Sequence, residues 1–416
     1  MGESKKRYLL EHVFRHEYGK IVSFLVHKFG PSHLEGIEDA VQESLIKAMQ
    51  VWAYDAPPNN PTSWLLRVAN NSLLDSLRRN RKMVKTHDVS FLDLRQTAQE
   101  EVNLNHTIND SQLKMVFACC HPSLSQEYQI ILSLKLIGGF GNKEIAKALL
   151  KKEETIAKSF TRAKKRMKEN VRTLDSPLEI GLKSRLTIVL RIIYLLFTEG
   201  YAASSGEVLI KKDICIEAIR LALLLTMNKS CDRPEVHALI ALMCLHASRF
   251  EARTDQNGEM VDLENQDRSV YDKELVKVGI QHLEKASVDA QPSNYHLQAA
   301  VSYYHSTAKS FLDTDWKSIL QLYDLQLQRQ YSPIVQLNSI VPFYKVYGAI
   351  EAIGKLKAFE QSPYFIDNAL YYAIKAELEL KIGNIKASKV ALKKAIDSSQ
   401  NEMKKNHFIK KLNTYE

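Results

Sequence analysis

The residues best suited to recognising another molecule lie in the segment EETIAKSFTRAKKRMKEN, from 153 to 170. Its apolar side chains recur at helical spacing and predict a buried face made of Ile156, Phe160, Ala163 and Met167. The opposite face begins with short hydrogen-bonding groups and continues with cations: Thr155, Lys158, Ser159, Arg162, Lys165 and Arg166. Short groups can reach the edges of DNA bases, whereas the distal cations can meet phosphate. A solvated lysine-rich face explains the same charge run equally well.

The residues just before this segment predict a partner helix. In FGNKEIAKALL, residues Ile145, Ala146 and Leu149 form a second inward stripe, and a lysine pair separates the two helices. Together they fit a helix-turn-helix whose second helix enters the major groove of DNA. Arg162 can then reach a base edge, and Glu154 can accept a hydrogen bond from a cytosine amino group.

A second group of recognition residues lies in TSWLLRVANNSLLDSLRRNRK, from 62 to 82. This helix combines an aromatic ring with amides and cations: Trp64, Arg67, Asn70, Asn71, Arg78 and Arg79. Unstacked bases need such a set, because they offer a stacking face, exposed polar edges and a charged backbone. For the tryptophan alone, packing in the core is the simpler interpretation.

An acidic helical face precedes both groups. In EGIEDAVQESLIKAM, from 35 to 49, Asp39 and Glu43 lie one turn apart beside Gln42. Such a face repels DNA but can dock on a basic protein surface. The acidic face therefore indicates a protein partner.

The distribution of charge agrees with a polyanion partner for the first part of the chain. The net charge is +9 over 416 residues, and residues 1–173 hold 27 Lys and Arg against 19 Asp and Glu. The five cysteines are scattered, and the first residues, MGESKKRYLL, lack the apolar core of a signal peptide. Even the apolar stretch LTIVLRIIYLLF contains Arg191. We therefore expect a cytoplasmic protein that is not embedded in a membrane.

The elements that carry these residues are predicted to be helical throughout, which makes the fold class all-α. Glycine and proline are sparse, with 15 and 11 residues, and apolar residues recur at helical spacing. Polar or turn-rich stretches at 53–63, 86–110 and near 177 interrupt the pattern. They predict one helical domain at 1–85, a linker at 86–109, a second domain at 110–173 and a helical C-terminal part at 174–416.

The C-terminal part shows the pattern of stacked helical hairpins. Small, turn and large residues occur where a tetratricopeptide hairpin needs them, at Ala376, Gly383, Ser388, Leu392 and Ala395. Residues 217–225 and 233–246 predict another hairpin. The repeat period is irregular, so the prediction is limited to stacked, tetratricopeptide-like hairpins.

Three stretches in this order, EDAVQESLIKAM, NPTSWLLRVANNSLLDSLRR and the helix-turn-helix, resemble domains 2 and 4 of an extracytoplasmic-function sigma factor of the sigma-70 family. The stretches MVFACCHPSLSQEYQIILSLKLIGGF and ALIALMCLHASRFEARTDQNGEMVDLENQDRSVYD resemble the subgroup with a long C-terminal helical extension. The resemblance implies a bacterial, non-enzymatic specificity subunit that directs transcription initiation. Its implied partners are promoter DNA and the β' clamp and β subunits of core RNA polymerase, with a regulatory protein partner for the extension.

The resemblance also implies roles for individual residues. Asp39, Gln42 and Glu43 match the helix that binds the β' clamp. The loop from Pro57 to Pro61, which includes Asn60, and the helix from Trp64 to Arg79 match the part that melts and captures the minus-ten element. The helix from Glu154 to Arg166 matches the reader of the minus-35 element. A helix-turn-helix regulator with a tetratricopeptide-like sensor domain remains the alternative, although it does not need the acidic face.

Three other motifs are interpreted structurally. Cys119, Cys120 and His121 lack a second ligand pair at a metal spacing, so we expect buried thiols and no metal or other cofactor. The charged stretch 246–272 lacks a nucleophile or phosphate loop, so we expect no catalytic residues there. We interpret that stretch as a network of buried ion pairs, with a binding groove as the alternative. Residues 198–207 fit either a ligand contact or a tight turn.

Overall fold

The structure is a computed structural model that describes residues 17–54, 57–80, 98–149, 151–174, 179–202, 210–288, 292–360, 362 and 364–414. Among these residues there is no β-strand, and a single antiparallel bridge joins Thr254 to Met260. The predicted all-α class is therefore confirmed. The chain divides into two units, Met1–Ile193 (unit 1) and Tyr194–Glu416 (unit 2).

Unit 1 holds both candidate recognition helices. Its helices are α1 (17–29), α2 (Leu34–Tyr54), α3 (Pro61–Asn80), α4 (Ala98–Cys119), α5 (Gln126–Leu132), α6 (Asn142–Ala148), α7 (Glu153–Asn170) and the first part of α8 (Glu179–Tyr201). A short 3₁₀ turn, Pro31–His33, follows α1, and a π-helical turn, Ser133–Ile137, follows α5. The helix pairs α2 with α3, α5 with α7 and α6 with α7 pack together.

Two close contacts join α1 to later elements of unit 1. A Cβ added at Gly19 of α1 would lie 2.0 Å from the carbonyl oxygen of Ile137, so only glycine allows this approach. A hydrogen bond of 2.9 Å joins His27 Nδ1 of α1 to the Ser111 hydroxyl of α4. The two predicted DNA-reading domains therefore share one compact unit in this structure.

The predicted linker differs from the structure in its second half. The polar stretch 86–110 was expected to be non-helical, but α4 begins at Ala98 and continues to Cys119. Long-range packing explains the difference, since Ile108, Ser111 and Gln112 of α4 are buried. The first half, residues 86–97, lies outside the described residues.

The boundary between the units also falls later than the predicted boundary at residue 174. The start of α8 belongs to unit 1, where Arg185 Nη2 donates to the carbonyl oxygen of Phe117 at 2.5 Å. The guanidinium of Arg185 also lies 5.5 Å from the centre of the Phe117 ring. These contacts tie a helix that continues into unit 2 to the end of α4.

Unit 2 is a succession of helices in which chain neighbours pack together. They are the end of α8, then α9 (Lys212–Thr226), α10 (Pro234–Ala247), α11 (Lys273–Ala286), α12 (Asn294–Thr307), α13 (Trp316–Arg329), α14 (Pro333–Asn338), α15 (Ile340–Tyr347), α16 (Ala349–Lys357), α17 (Ala369–Lys381), α18 (Ile385–Asp397) and α19 (Glu402–Asn413). Between α10 and α11 runs a long loop, residues 248–272, that contains three short 3₁₀ turns.

Both predicted hairpins form. In the α17–α18 pair, Ala376, Ser388, Leu392 and Ala395 are buried, and Gly383 makes the turn with φ of 82°. The Ser388 hydroxyl donates to the Ala376 carbonyl oxygen at 2.8 Å, which a larger residue could not do at this crossing. The other hairpin consists of α9 and α10, and α10 is buried on nearly all sides.

Candidate nucleic-acid and protein interfaces

The second helix of the helix-turn-helix, α7, has the predicted two-faced character. Ile156, Phe160, Ala163 and Met167 are buried, and α7 begins at Glu153 after the lysine pair, as expected from the sequence. Burial of this stripe against α5 and α6 fixes which side of α7 faces solvent. The exposed side carries Glu154, Thr155, Lys158, Arg162, Lys165 and Arg166.

The cations of α7 separate into two edges. On one edge, Lys164 Nζ lies 2.7 Å from Glu38 Oε2, and Lys168 Nζ lies 3.1 Å from Glu35 Oε1. Both carboxylates come from α2, so these ion pairs hold this edge of α7 against α2. On the solvent edge, Arg162, Lys165 and Arg166 form no ion pair within the part of the chain that the structure describes. That edge is free to meet an anionic partner.

Three predicted readers near the start of α7 already have partners within the protein. Lys158 Nζ pairs with Glu154 Oε1 at 2.6 Å, with both side chains well exposed. Because exposed ion pairs contribute little, both groups stay available to a ligand. The Ser159 hydroxyl donates to Glu127 Oε1 of α5 at 3.4 Å and is only partly exposed. Ser159 therefore leans toward α5 rather than outward.

The exposed face of α3 brings together three of the residues predicted to capture unstacked bases. Arg67, Asn71 and Arg78 recur at spacings of four and seven, and all are exposed. Trp64 lies on the same face, and its ring centre is 5.3 Å from that of the buried Trp52. Arg79 is also exposed, with its Nε donating to the Asp75 carbonyl oxygen at 3.3 Å.

Two of the residues predicted to bind the minus-ten element, Asn60 and Asn70, do not lie on the exposed face of α3. Asn70 is only 5% exposed, and its Oδ1 accepts a hydrogen bond from Lys28 Nζ of α1 at 3.3 Å. Asn60 precedes α3, and its Oδ1 accepts from the Ser63 backbone N–H at 3.0 Å, as an N-cap does. The dipeptide Asn70-Asn71 thus divides between core and surface, because adjacent helical positions point about 100° apart and these two lie on either side of the core boundary.

The acidic face of α2 is exposed and continues into apolar side chains. Asp39, Gln42 and Glu43 all face solvent, and Glu43 accepts a hydrogen bond from the Ser72 hydroxyl of α3. One turn further, Ile46 is 50% and Met49 is 45% exposed. Exposed apolar side chains beside carboxylates are typical of a protein-binding surface. Ile46 and Met49 were not among the residues predicted to bind a protein partner, although they follow Gln42 at helical spacing.

The cysteines near the end of α4 are buried, as expected from the sequence. Cys119 and Cys120 are both inaccessible to solvent. Burial raises the pKa of the Cys120 thiol to about 12, although a hydrogen bond with Ser133 acts in the opposite direction. Within the described residues, no three His, Cys, Asp or Glu side chains are close enough to hold a metal ion. None of the described helices combines the length and the hydropathy needed to cross a bilayer.

The charged stretch 246–272 was predicted to be fixed by a network of buried ion pairs, and its described acids pair with other elements rather than with its own arginines. Arg268 Nη1 donates to the carbonyl oxygens of His305 and Ala308, each at 2.7 Å. Asp255 and Asp267 accept backbone N–H groups of their own turns. Asp262 instead pairs with α19, at 3.0 Å from His407 Nε2 and 2.5 Å from Lys411 Nζ. The described acids of the stretch thus pair with α9 and α19 or accept backbone N–H groups of their own turns.

The comparisons with known proteins divide the chain in a similar way. Residues 13–83 match the family described as Sigma-70 region 2, and residues 114–167 match Sigma-70, region 4. Residues 185–287 match a family of unknown function, DUF6596. These ranges contain the acidic face of α2, the exposed face of α3 and the solvent edge of α7.

Two relatives of known sequence match over different lengths. An uncharacterized protein of Rhizobium meliloti (strain 1021), R00370, is 32% identical over 374 residues, which cover 89% of this chain and 87% of the relative. The RNA polymerase sigma factor YlaC of Bacillus subtilis (strain 168) is 25% identical over 169 residues, which cover 40% of this chain and 94% of that protein. No solved structure matches the chain.

Proposed function

The chain belongs to the sigma-70 family of RNA polymerase sigma factors, and we propose that three exposed faces of unit 1 divide its work. The acidic face of α2 binds core polymerase, the exposed face of α3 captures the minus-ten element, and the solvent edge of α7 reads the minus-35 element. The chain acts in the cytoplasm as a non-catalytic subunit, because the polymerase supplies the chemistry of transcription.

The α2 surface suits a basic protein partner such as the β' clamp. Asp39 and Glu43 provide the charge complementarity that orients an encounter, and Ile46 provides apolar area that water would otherwise cover. The same carboxylates disfavour DNA at this surface. The combination of exposed acid and exposed isoleucine supports a protein interface here, with the β' clamp as the proposed partner.

The α3 surface suits single-stranded DNA. Trp64 offers a stacking face, Asn71 offers amide groups to a base edge, and Arg67 and Arg78 face solvent where a phosphate backbone can lie. Asn70 is left out of this set because it is buried, and Asn60 contributes by capping the helix. The function of the surface is to hold bases that have left the duplex.

The α7 surface suits duplex DNA, and one observation carries the proposal. Arg162, Lys165 and Arg166 are exposed without an ion pair in the described residues, while the other two cations of the same stretch, Lys164 and Lys168, are bound to carboxylates. Because exposed arginines can form bidentate contacts to guanine, this edge can supply sequence preference as well as affinity. Thr155 and Lys158 add contacts near the start of α7.

DNA binding measured with and without core polymerase tests this assignment. We expect the chain alone to bind promoter DNA weakly, and the chain with purified core polymerase to bind it tightly and with sequence preference. A helix-turn-helix regulator with a sensor domain would instead select its site without polymerase. Specific, tight binding by the chain alone, unchanged when core polymerase is added, would contradict the proposed function.

We infer that unit 2 regulates unit 1 or recruits a regulatory protein. It is as long as a full domain and nearly neutral, so it lacks the charge needed to act as a DNA-binding tail. Stacked hairpins commonly present a surface that suits protein partners. A tethered unit also meets unit 1 at a high effective concentration, so even a weak contact changes the arrangement of the chain.

A further inference from the structure

Two arginines of unit 2 lie together around one tyrosine at the start of the loop between α10 and α11. The Arg253 guanidinium lies over the Tyr201 ring, 3.9 Å from its centre, and Nη1 donates to the Tyr201 carbonyl oxygen. Arg249 Nη2 donates to the Tyr201 hydroxyl at 2.5 Å. The Tyr201 ring in turn packs against His246 of α10, with ring centres 4.7 Å apart. We call the group formed by Tyr201, His246, Arg249, Arg253 and His305 the arginine recess.

Two side chains from later helices of unit 2 lie near the two arginines. His305 of α12 is near enough to Arg249 that this arginine, after burial, lowers the pKa of the histidine to about 3. Lys404 of α19 is near Arg253, and burial together with that arginine lowers the pKa of the lysine. Side chains from four parts of unit 2, the loop, α10, α12 and α19, thus converge on one place. Arg249, Arg253 and Lys404 supply positive charge, whereas the lowered pKa values of His246 and His305 keep both rings neutral near pH 7.

The recess has no matching negative charge in the part of unit 2 that the structure describes. Neither Arg249 nor Arg253 forms an ion pair with any described carboxylate. Two acids near these arginines or Tyr201 in sequence form ion pairs with lysines: Glu199 pairs with Lys211 at 3.3 Å and Glu251 pairs with Lys212 at 2.5 Å. Glu199 also acts on Lys404, where it opposes the lowering of the pKa. Partly buried like charges without a countercharge are unfavourable, so a protein retains them where an anion binds.

Hydrogen-bonding atoms in the recess also lack partners. Arg249 Nε, His246 Nδ1 and His305 Nδ1 are inaccessible to solvent and have no hydrogen-bond partner among the residues that the structure describes. The other nitrogen of His246, Nε2, lies 3.3 Å from the Ser302 hydroxyl, so Nδ1 is the free side of that ring. Unsatisfied polar atoms are rare in protein interiors, and three in one cluster indicate a group missing from the structure.

We propose that the arginine recess binds a small oxyanion, a carboxylate or a phosphate ester, with Arg249 as the main partner and Arg253, His246 and His305 completing the site. A guanidinium matches the planar or tetrahedral oxygens of these groups and can bind them with two parallel hydrogen bonds. Arg268 does not take part, because its donors are occupied by protein acceptors. The proposal concerns unit 2 alone and does not depend on the proposed polymerase and promoter contacts.

Thermal unfolding of the full-length chain tests the site. Inorganic phosphate and citrate serve as probes, each titrated at constant ionic strength with sodium chloride as compensation. Binding to the folded state raises the melting temperature of unit 2, by roughly 5 to 10 °C at about 100 times the dissociation constant. We expect at least one probe to produce a rise that grows with the logarithm of its concentration. No rise with either probe would overturn the proposal.

Two variants with the same change in charge separate a binding site from a structural cluster. Arg249→Gln removes the main partner, whereas Arg329→Gln removes an exposed arginine at the end of α13. We expect Arg249→Gln to lose the probe-dependent rise, while without probe it melts no lower than the wild type, because repulsion with Arg253 is relieved. Arg329→Gln should respond as the wild type does. An Arg249→Gln variant that keeps the full rise, or one that melts much lower than the wild type without probe, contradicts the proposal.

A third variant tests whether the chain itself provides the anion. Glu207 follows Tyr201 in sequence and lies outside the described residues. If a small oxyanion binds, Glu207→Gln should keep the probe-dependent rise. If that variant acquires a larger rise than the wild type, the glutamate competes for the same arginines and the recess is closed by the protein, which would overturn the assignment to a separate ligand.

Discussion

At the scale of single residues, exposed neighbours on one helix can serve different purposes. Arg162 and Lys165 of α7 are one turn apart, and both are exposed without an ion pair in the described residues. Arg162 has the planar fork that pairs with the edge of guanine, whereas Lys165 carries a compact charge suited to phosphate. Their substitutions should therefore have different signatures.

We predict that Arg162→Ala relaxes preference at one or two minus-35 positions, with a loss of about 1 to 3 kcal/mol on the preferred sequence. Lys165→Ala should weaken binding to all sequences alike and lower the salt dependence. Binding by the complex with core polymerase, measured over a set of promoter variants and salt concentrations, checks both, with Arg329→Ala as the control. Identical behaviour of the two variants would mean that the division into base and phosphate contacts is wrong.

A histidine pair in unit 2 predicts sensitivity to acid. His282 Nδ1 lies 2.8 Å from His237 Nδ1, and burial, with His237 adding to it, lowers the pKa of His282 from 6.5 to about 4. The unfolded chain therefore binds a proton at a higher pH than the folded one. The stabilising contribution is complete above pH 6.5 and is lost as the pH falls through about 4. Because His282 is partly exposed, solvent screening reduces this loss to about 1 to 2 kcal/mol.

We expect the His282→Gln variant of the chain to lose less stability than the wild type between pH 7 and pH 4, by about 1 to 2 kcal/mol. Glutamine keeps a hydrogen-bonding group toward His237 without binding a proton. Urea unfolding of unit 2 at both values of pH measures the difference, and His33→Gln in unit 1 is the control. Parallel loss of stability in His282→Gln and the wild type would contradict the assigned pKa.

At the scale of elements, the local pattern predicted helix faces well. The buried stripe of α7, the break before Glu153 and the α17–α18 hairpin all follow from spacing within one or two helices. Long-range partners could not be predicted in this way. Lys164 pairs with Glu38, 126 residues earlier in the chain, and the buried Asn70 accepts a hydrogen bond from Lys28 of α1. Such contacts depend on how helices meet, which local periodicity does not encode.

For the same reason, the partners of the arginines in the loop between α10 and α11 could not be predicted from the sequence. The loop gathers arginines and acids between two apolar helices, which predicted a network of buried ion pairs. The carboxylates instead cap their own turns or bind α19, because loop backbones need acceptors and donors close by in sequence. Arg249 and Arg253 are left beside Tyr201, and only the structure reveals that these charges lack a partner in the described residues.

For α2, we predict that Asp39→Lys combined with Glu43→Lys weakens binding to core polymerase while the fold persists. The change places two cations where a carboxylate face meets a basic surface, and both positions are exposed. A titration against purified core polymerase measures the effect. Lys substitutions at the exposed Glu153 and Glu169 of α7 provide a control with the same change in charge. Equal affinity of wild type and the α2 variant would remove this face from the interface.

At the scale of the whole molecule, the two units suggest where to divide the chain. A fragment ending at Thr173 would lose the start of α8, including the contact of Arg185 with Phe117, so the better fragment ends at Ile193. We predict that residues 1–193 keep the promoter preference of the intact chain but differ markedly from it in transcriptional output. Transcription with purified core polymerase at equal concentrations checks this. Equal output would argue against control by unit 2, and a changed preference would mean that unit 2 reads DNA.

The measurement that tests the central claim most directly is the mapping of RNA 5′ ends made by purified core polymerase on a library of bacterial DNA fragments. With the chain present, we predict initiation at discrete sites that share two sequence elements, and loss of these sites with the α2 variant Asp39→Lys and Glu43→Lys. An α7 variant, Arg162→Ala, should change the upstream element that the sites share. The same set of 5′ ends with and without the chain would contradict the assignment of this protein as a sigma factor.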